Sequence, residues 1–244
     1  MDVELHRAEF DKYTAPLLLL HGLWTDASMW RPAASFLAHR GWNAYALRWR
    51  GAGTTWSDLF ERVQRAAAEL GAPVVIGHDL GALLALHLGG TRAAVAISPL
   101  PCGAGAPPHP LALSVAARLA RWRRAPFTPS RSASVRVLGT DATALVADAS
   151  AWFDEITRAP AAPAHAGTPR LLVAGDADVC LPGAERDRMA EQFGAEIRSY
   201  AGAGHELPHG RHWQAVTADV HRWLVRRLGE SLLVLRGDED LIDE

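Results

Sequence analysis

Residues Pro73 to Gly90 read PVVIGHDLGALLALHLGG, and no other stretch restricts the fold as much. A short β-branched run, Val74 to Ile76, meets Gly77 and Gly81, and an apolar segment of helical period follows directly. Strand and helix must therefore join through a very tight turn. The glycines permit that turn, a sharp elbow with Asp79 at its tip between Gly77 and Gly81.

The remaining chain alternates in the same way. An apolar run at 16–22, an amphipathic segment at 27–41 closed by Gly41 and a second run at 42–49 read as strand, helix, strand. A helix at 54–72 leads to the elbow, and another strand falls at 92–99. The rhythm returns at 169–183 (strand), 184–194 (helix), 195–208 (strand) and 212–229 (helix). Alternating units of this kind predict an α/β fold, a mostly parallel twisted sheet with helices on both faces. With 244 residues, 49% of them hydrophobic, the chain suffices for one such core, residues 1–100 and 169–244, and one insertion. The insertion, 101–168, is rich in Pro, Ala and Arg and carries two expected helices, at 111–124 and 142–158. The first has an apolar face and a basic end, and two readings of it are open: Trp122 contacts the substrate, or the segment is simply an amphipathic lid helix with Trp122 docked on the core.

Charge and composition exclude several classes. A formal net charge of −2 with scattered arginines argues against nucleic acid. No apolar run approaches the length of a membrane span and the N-terminus lacks a signal region, so a cytoplasmic protein with no membrane partner is expected. Cys102 and Cys180 are not expected to form a disulfide in a reducing compartment. No paired-histidine helix or phosphate loop is present, so no metal and no cofactor is expected.

Four motifs in order carry a resemblance: HGLW at 21–24, GHDLG at 77–81, GDADVCLPG at 175–183 and GAGHELP at 202–208. Together they resemble the α/β-hydrolase superfamily, in its aspartate-nucleophile branch of epoxide hydrolases and haloalkane dehalogenases, with residues 101–168 where that family inserts a helical cap. The resemblance implies a catalytic set of Asp79, Asp178 and His205, and an oxyanion hole from the backbone N–H groups of Leu80 and of Leu23 or Trp24. Asp178 is preferred over Asp176, which is expected to serve the loop's own backbone.

The chemistry explains why an acid can replace the usual serine. A carboxylate is already an anion at neutral pH and attacks without a base. Its targets are carbons bearing a strained or good leaving group, an epoxide or a carbon–halogen bond. The resulting aspartyl ester is then hydrolysed by water that His205 activates. Epoxide hydrolases protonate the opening oxygen with cap tyrosines, whereas Tyr13, Tyr45 and Tyr200 all lie outside the cap here. His21, His78, Trp24, Arg48, His109, Trp122 and Trp152 are the candidates for contact with a small, largely apolar substrate. Two other readings stay open. In one, Asp79 or His205 is an acid or base in a rearrangement, elimination or cyclisation of a natural-product intermediate; in the other the chain is a non-catalytic binding relative. A homodimer is also left open.

Overall fold

The computed structural model describes residues 2–49, 55–103, 105–123, 125–138, 148–149, 159, 167–229 and 233. Its central sheet is built from β1 (Val3–His6), β2 (Leu17–Leu20), β3 (Ala44–Leu47), β4 (Val74–His78), β5 (Ala93–Ile97), β8 (Arg170–Gly175) and β9 (Glu196–Tyr200), in the order β1-β3-β2-β4-β5-β8-β9. β1 runs antiparallel to β3, with Val3 opposite Leu47; all other neighbours are parallel. The helices are α1 (Arg31–Ala38), α2 (Trp56–Glu69), α3 (Leu80–His87), α6 (Gly183–Phe193) and α7 (Trp213–Leu228).

Side chains alternate across the sheet as the pleat requires. Leu18 and Leu20 of β2 join Val75, α2 and α3 in one apolar cluster, while Leu17 and Leu19 join Val74, Ile76, α1 and α7 in the other. Both faces are thus covered, which is why β2, β4 and β5 read as unbroken apolar runs. Every residue of α3 is buried, so its sequence shows no polar face. Local signals set the helix ends: Thr55 and Asp58 form a reciprocal capping box on α2, and α6 stops at Gly194, whose φ of 61° is left-handed.

Between β5 and β8 lie a 3₁₀ turn (Pro110–Leu113), α4 (Val115–Trp122), β6 (Pro126–Phe127), α5 (Arg131–Leu138) and β7 (Asp148–Ala149). The expected helix at 111–124 is therefore broken, because Ser114 is extended and caps a new helix by accepting from Ala117 N. Of the expected helix at 142–158, the two described residues, Asp148 and Ala149, pair as a strand with Phe127 and Pro126; the others lie outside the described residues. The segment at 27–41 also divides: a 3₁₀ turn over Ala27–Trp30, capped by Asp26, precedes α1. Both cysteines are free and buried.

Candidate active site

Because the inner strands are parallel, the loops after β2, β4, β8 and β9 all leave from one edge of the sheet, and each brings one motif to it. The elbow after β4 is built by exclusion of side chains. A Cβ on Gly77 would lie 2.1 Å from Gly81 O, and one on Gly81 would lie 2.3 Å from Leu20 O, so the two elements touch backbone to backbone. Asp79 adopts φ 55°, ψ −117°, a strained conformation for a residue with a side chain, and its N–H is held by Ile97 O at 3.1 Å. Gly22 lets the β2 loop pass beside it, since a Cβ there would sit 2.6 Å from Asp79 Cβ.

The two oxygens of Asp79 face different partners. Oδ1 accepts from Leu80 N and from Leu23 N, the latter at 3.4 Å; of the two expected donors on the β2 loop it is Leu23 that reaches the carboxylate. Oδ2 lies 3.0 Å from His205 Nε2. The other ring nitrogen of His205, Nδ1, lies 2.9 Å from Asp178 Oδ2 and 3.2 Å from Oδ1. Asp178 is fixed in turn by the N–H groups of Cys180 (2.8 Å) and Leu181 (3.2 Å). Asp176 instead accepts from Gly202 N at 2.6 Å and ties the two loops together.

A histidine between two carboxylates must donate from both nitrogens, because ionised carboxylates only accept. The arrangement therefore favours the imidazolium form of His205. Burial pushes its pKa down, but the charge of Asp178 and the bonds to both acids raise it well above the ordinary value. Burial pushes Asp178 up, but the charge and hydrogen bond of His205 and two backbone N–H groups bring it below its ordinary value. The site is closed: Asp79 is 2% exposed and His205 0%.

The other candidate residues divide. Trp24, with φ 56°, turns its indole N–H to Phe127 O of β6 at 2.9 Å and sets its ring edge-on to Phe127. His109 packs on Trp24, accepts from Leu111 N through Nδ1 and so carries its proton on Nε2; burial lowers its pKa to about 4, and it lies within the electrostatic reach of Asp79. His21 stacks on Trp49 and is held by burial at about 4. His78 is buried beside His205, with Nε2 3.1 Å from His205 O.

Two candidates are not brought to the Asp79–His205–Asp178 cluster. Arg48 is half-exposed and ion-paired to Glu4 (3.3 Å) and Asp2 (3.7 Å), an outcome of the unforeseen strand β1. Trp122 is 78% exposed on the outer side of α4 rather than docked. Trp152 lies outside the described residues.

Sequence reasoning passed over Glu206, which follows His205 directly. Its buried carboxylate lies 2.5 Å from His209 Nε2 and 3.9 Å from His78 Nε2, and its N–H donates to Leu138 O of α5. Burial would raise its pKa, yet His78 and His209 draw it down to about 2. Adjacency to His205 was the one available signal. Cys180 was given no role; burial raises its thiol, leaving a neutral neighbour of His205.

The family model described as the alpha/beta hydrolase family matches residues 17–220. A comparison with curated protein sequences returned no match. Among solved structures, the chain is similar to the monoacylglycerol lipase of Paleococcus ferrophilus (20% identity, 93% of this chain and 99% of that one, TM-score 0.71). It is also similar to a soluble variant of the monoglyceride lipase of Saccharomyces cerevisiae (14%, 92% and 91%, 0.71). A third is a putative non-heme bromoperoxidase from Mycobacterium tuberculosis H37Rv (14%, 93% and 96%, 0.65). At these identities the likeness is one of fold.

Proposed function

Since the chain belongs to the alpha/beta hydrolase family, with an aspartate at the head of its elbow, we propose that it is a hydrolase that opens an epoxide, or displaces a halide, through a covalent ester on Asp79. One observation carries the reading: Oδ1 of Asp79 itself accepts from Leu23 N and Leu80 N. In a serine esterase those donors would hold the substrate's carbonyl oxygen. Here the side chain fills that place, which suits a reaction whose tetrahedral intermediate forms on Asp79 and argues against transferring the activity of the lipases.

The geometry is compatible with the following steps. Oδ2 attacks the substrate carbon and the carbon–oxygen or carbon–halogen bond breaks. In this reading the Nε2–H of His109, a neutral imidazole within electrostatic reach of Asp79, takes the hydrogen-bonding role that tyrosines have in epoxide hydrolases, as donor to the opening oxygen. Ester formation removes the charge of Asp79, so His205 keeps only Asp178 as an anionic partner and gives up its Nε2 proton, to the alkoxide of an opened epoxide or, where a halide has left, to solvent water. Neutral His205 then draws a proton from water, which attacks Cγ while Leu23 N and Leu80 N hold the charge on Oδ1. Collapse of that intermediate releases the diol and restores the carboxylate. Each oxyanion donor is worth about 10²–10³ in rate.

The test is intact-protein mass of a His205→Ala variant incubated with panels of epoxides and haloalkanes. An adduct that maps to the Asp79 peptide supports the reading. Turnover by the wild-type protein with no adduct in the variant overturns it in favour of direct acid–base chemistry.

A further inference from the structure

Helix α4 turns its apolar side to solvent. Val115, Leu119 and Trp122 are spaced i, i+4, i+7 and form one stripe, 80, 44 and 78% exposed, with Leu113 just before them at 61%. Its inner side is made of alanine: Ala117 is buried and Ala120 packs partly buried against the core. These small residues allow close approach to the chain beneath, which is why the tryptophan stripe lies outside. At about 100° per residue, Arg118 and Arg123 border the stripe on opposite sides, with Arg121 further round the helix. The charge is lopsided over a wider range. Residues 101–140 contain six arginines and no Asp or Glu, in a chain whose formal net charge is −2.

We propose that α4 docks on the surface of a bilayer carrying anionic lipids, with Val115, Leu119 and Trp122 in the headgroup region and the flanking arginines on lipid phosphates. An apolar stripe bordered by long cationic side chains that can reach upward is the pattern of a helix lying in an interface. A second copy of this chain fits the same face less well, because a two-fold contact would set the arginines of one subunit near those of the other. Two helical turns bury little apolar surface, so attachment needs stripe and charge together and is reversible. The expectation of no membrane partner rests on the lack of a spanning segment. Among the described residues no helix is long and apolar enough to cross a membrane, but a helix that lies on the surface needs no such length.

The experiment is flotation of the full chain with phosphatidylcholine vesicles, with and without about one-third phosphatidylglycerol. Binding is expected to the anionic vesicles alone, and about 0.5 M salt should release it. Arg118→Ala with Arg123→Ala should lower partitioning about 25-fold, roughly fivefold per arginine, and Trp122→Ala by about tenfold or more. All three side chains are outward, and unchanged thermal melts would show that the variants fold. Absence of wild-type binding to anionic vesicles, or binding that neither variant weakens, overturns the proposal. So does a concentration-dependent dimer that Trp122→Ala dissociates when no vesicle binding is seen, which would give the stripe to a second copy.

Discussion

Replacing Asp79 by Asn reproduces, without substrate, the loss of charge that ester formation causes, and so tests whether His205 becomes a base only at that stage. In the resting protein His205 lies between Asp79 Oδ2 at 3.0 Å and Asp178 Oδ2 at 2.9 Å. Two unit charges about 3 Å apart in a medium of effective dielectric constant about 20 attract by between about 5 and 6 kcal/mol. Compensating desolvation reduces the net effect, and an adjacent opposite charge generally moves a pKa by about 1–3 units. Asn keeps an oxygen for Leu23 N and Leu80 N and offers His205 an N–H, which favours a neutral ring with its proton on Nδ1 facing Asp178. The His205 titration midpoint should therefore fall by about 1–3 units. Nitrogen-15 NMR of histidine-labelled protein reads it, with the signal among eleven histidines assigned by its loss in His205→Gln. The mass of each sample must confirm the amide. An unchanged midpoint, or a wild-type His205 already neutral at pH 7, would refute the reasoning.

Three further outcomes are expected. Asp178→Asn should slow the His205-dependent step by about 10²–10⁴ while Asp176→Asn mainly loosens the loop through its bond to Gly202 N; single-turnover rates with the reverse ranking contradict the assignment. Gly22→Ala drives a methyl to within 2.6 Å of Asp79 Cβ, so it should cost about 1–3 kcal/mol in denaturant unfolding and displace Leu23 N, and a variant of wild-type stability and rate would show that the approach is not tight. His21 and His109, neutral in the fold with pKa values lowered by burial to about 4 from 6.5, make stability full above 6.5 and falling as pH drops towards 4, by about 1.4 kcal/mol per pH unit for each. His205, whose value is raised, contributes below 6.5 and loses that contribution as pH rises through its folded pKa. Denaturation that is flat or steadily more stable from about pH 7 to about pH 4.5 would contradict the histidine linkage.

What was legible in the sequence was whatever a short segment fixes by itself. Asp79, Asp178 and His205 each follow a strand and a glycine-bearing turn, so their meeting at one edge follows once the sheet is parallel. The choice of Asp178 over Asp176 was also local, because the first acid of such a loop is placed to accept a backbone N–H. The failures are all questions of what lies beside a segment. The periodicity of α4 shows an apolar face but not its direction: Ala117 is buried and Trp122 exposed. The strand Val3–His6 is half polar because it is an edge, and without it Arg48 has no visible partner in Glu4. Helix α5, RSASVRVL, has weak amphipathic character; the carbonyl of Leu138 at its end meets Glu206 N, a contact across the chain that no local pattern encodes.

The central claim, attack on carbon by Asp79 followed by hydrolysis at its own Cγ, is tested most directly by the fate of the water oxygen. A substrate found with the epoxide or haloalkane panels is turned over once by excess wild-type protein in ¹⁸O-labelled water, and the product and the Asp79 peptide are weighed. Water enters at Cγ in the proposed route, so the first product should carry an unlabelled oxygen from Asp79 and the peptide should gain the label. Label in the first product with an unlabelled Asp79 would mean that water attacks the substrate directly, and the aspartyl-ester account would be wrong.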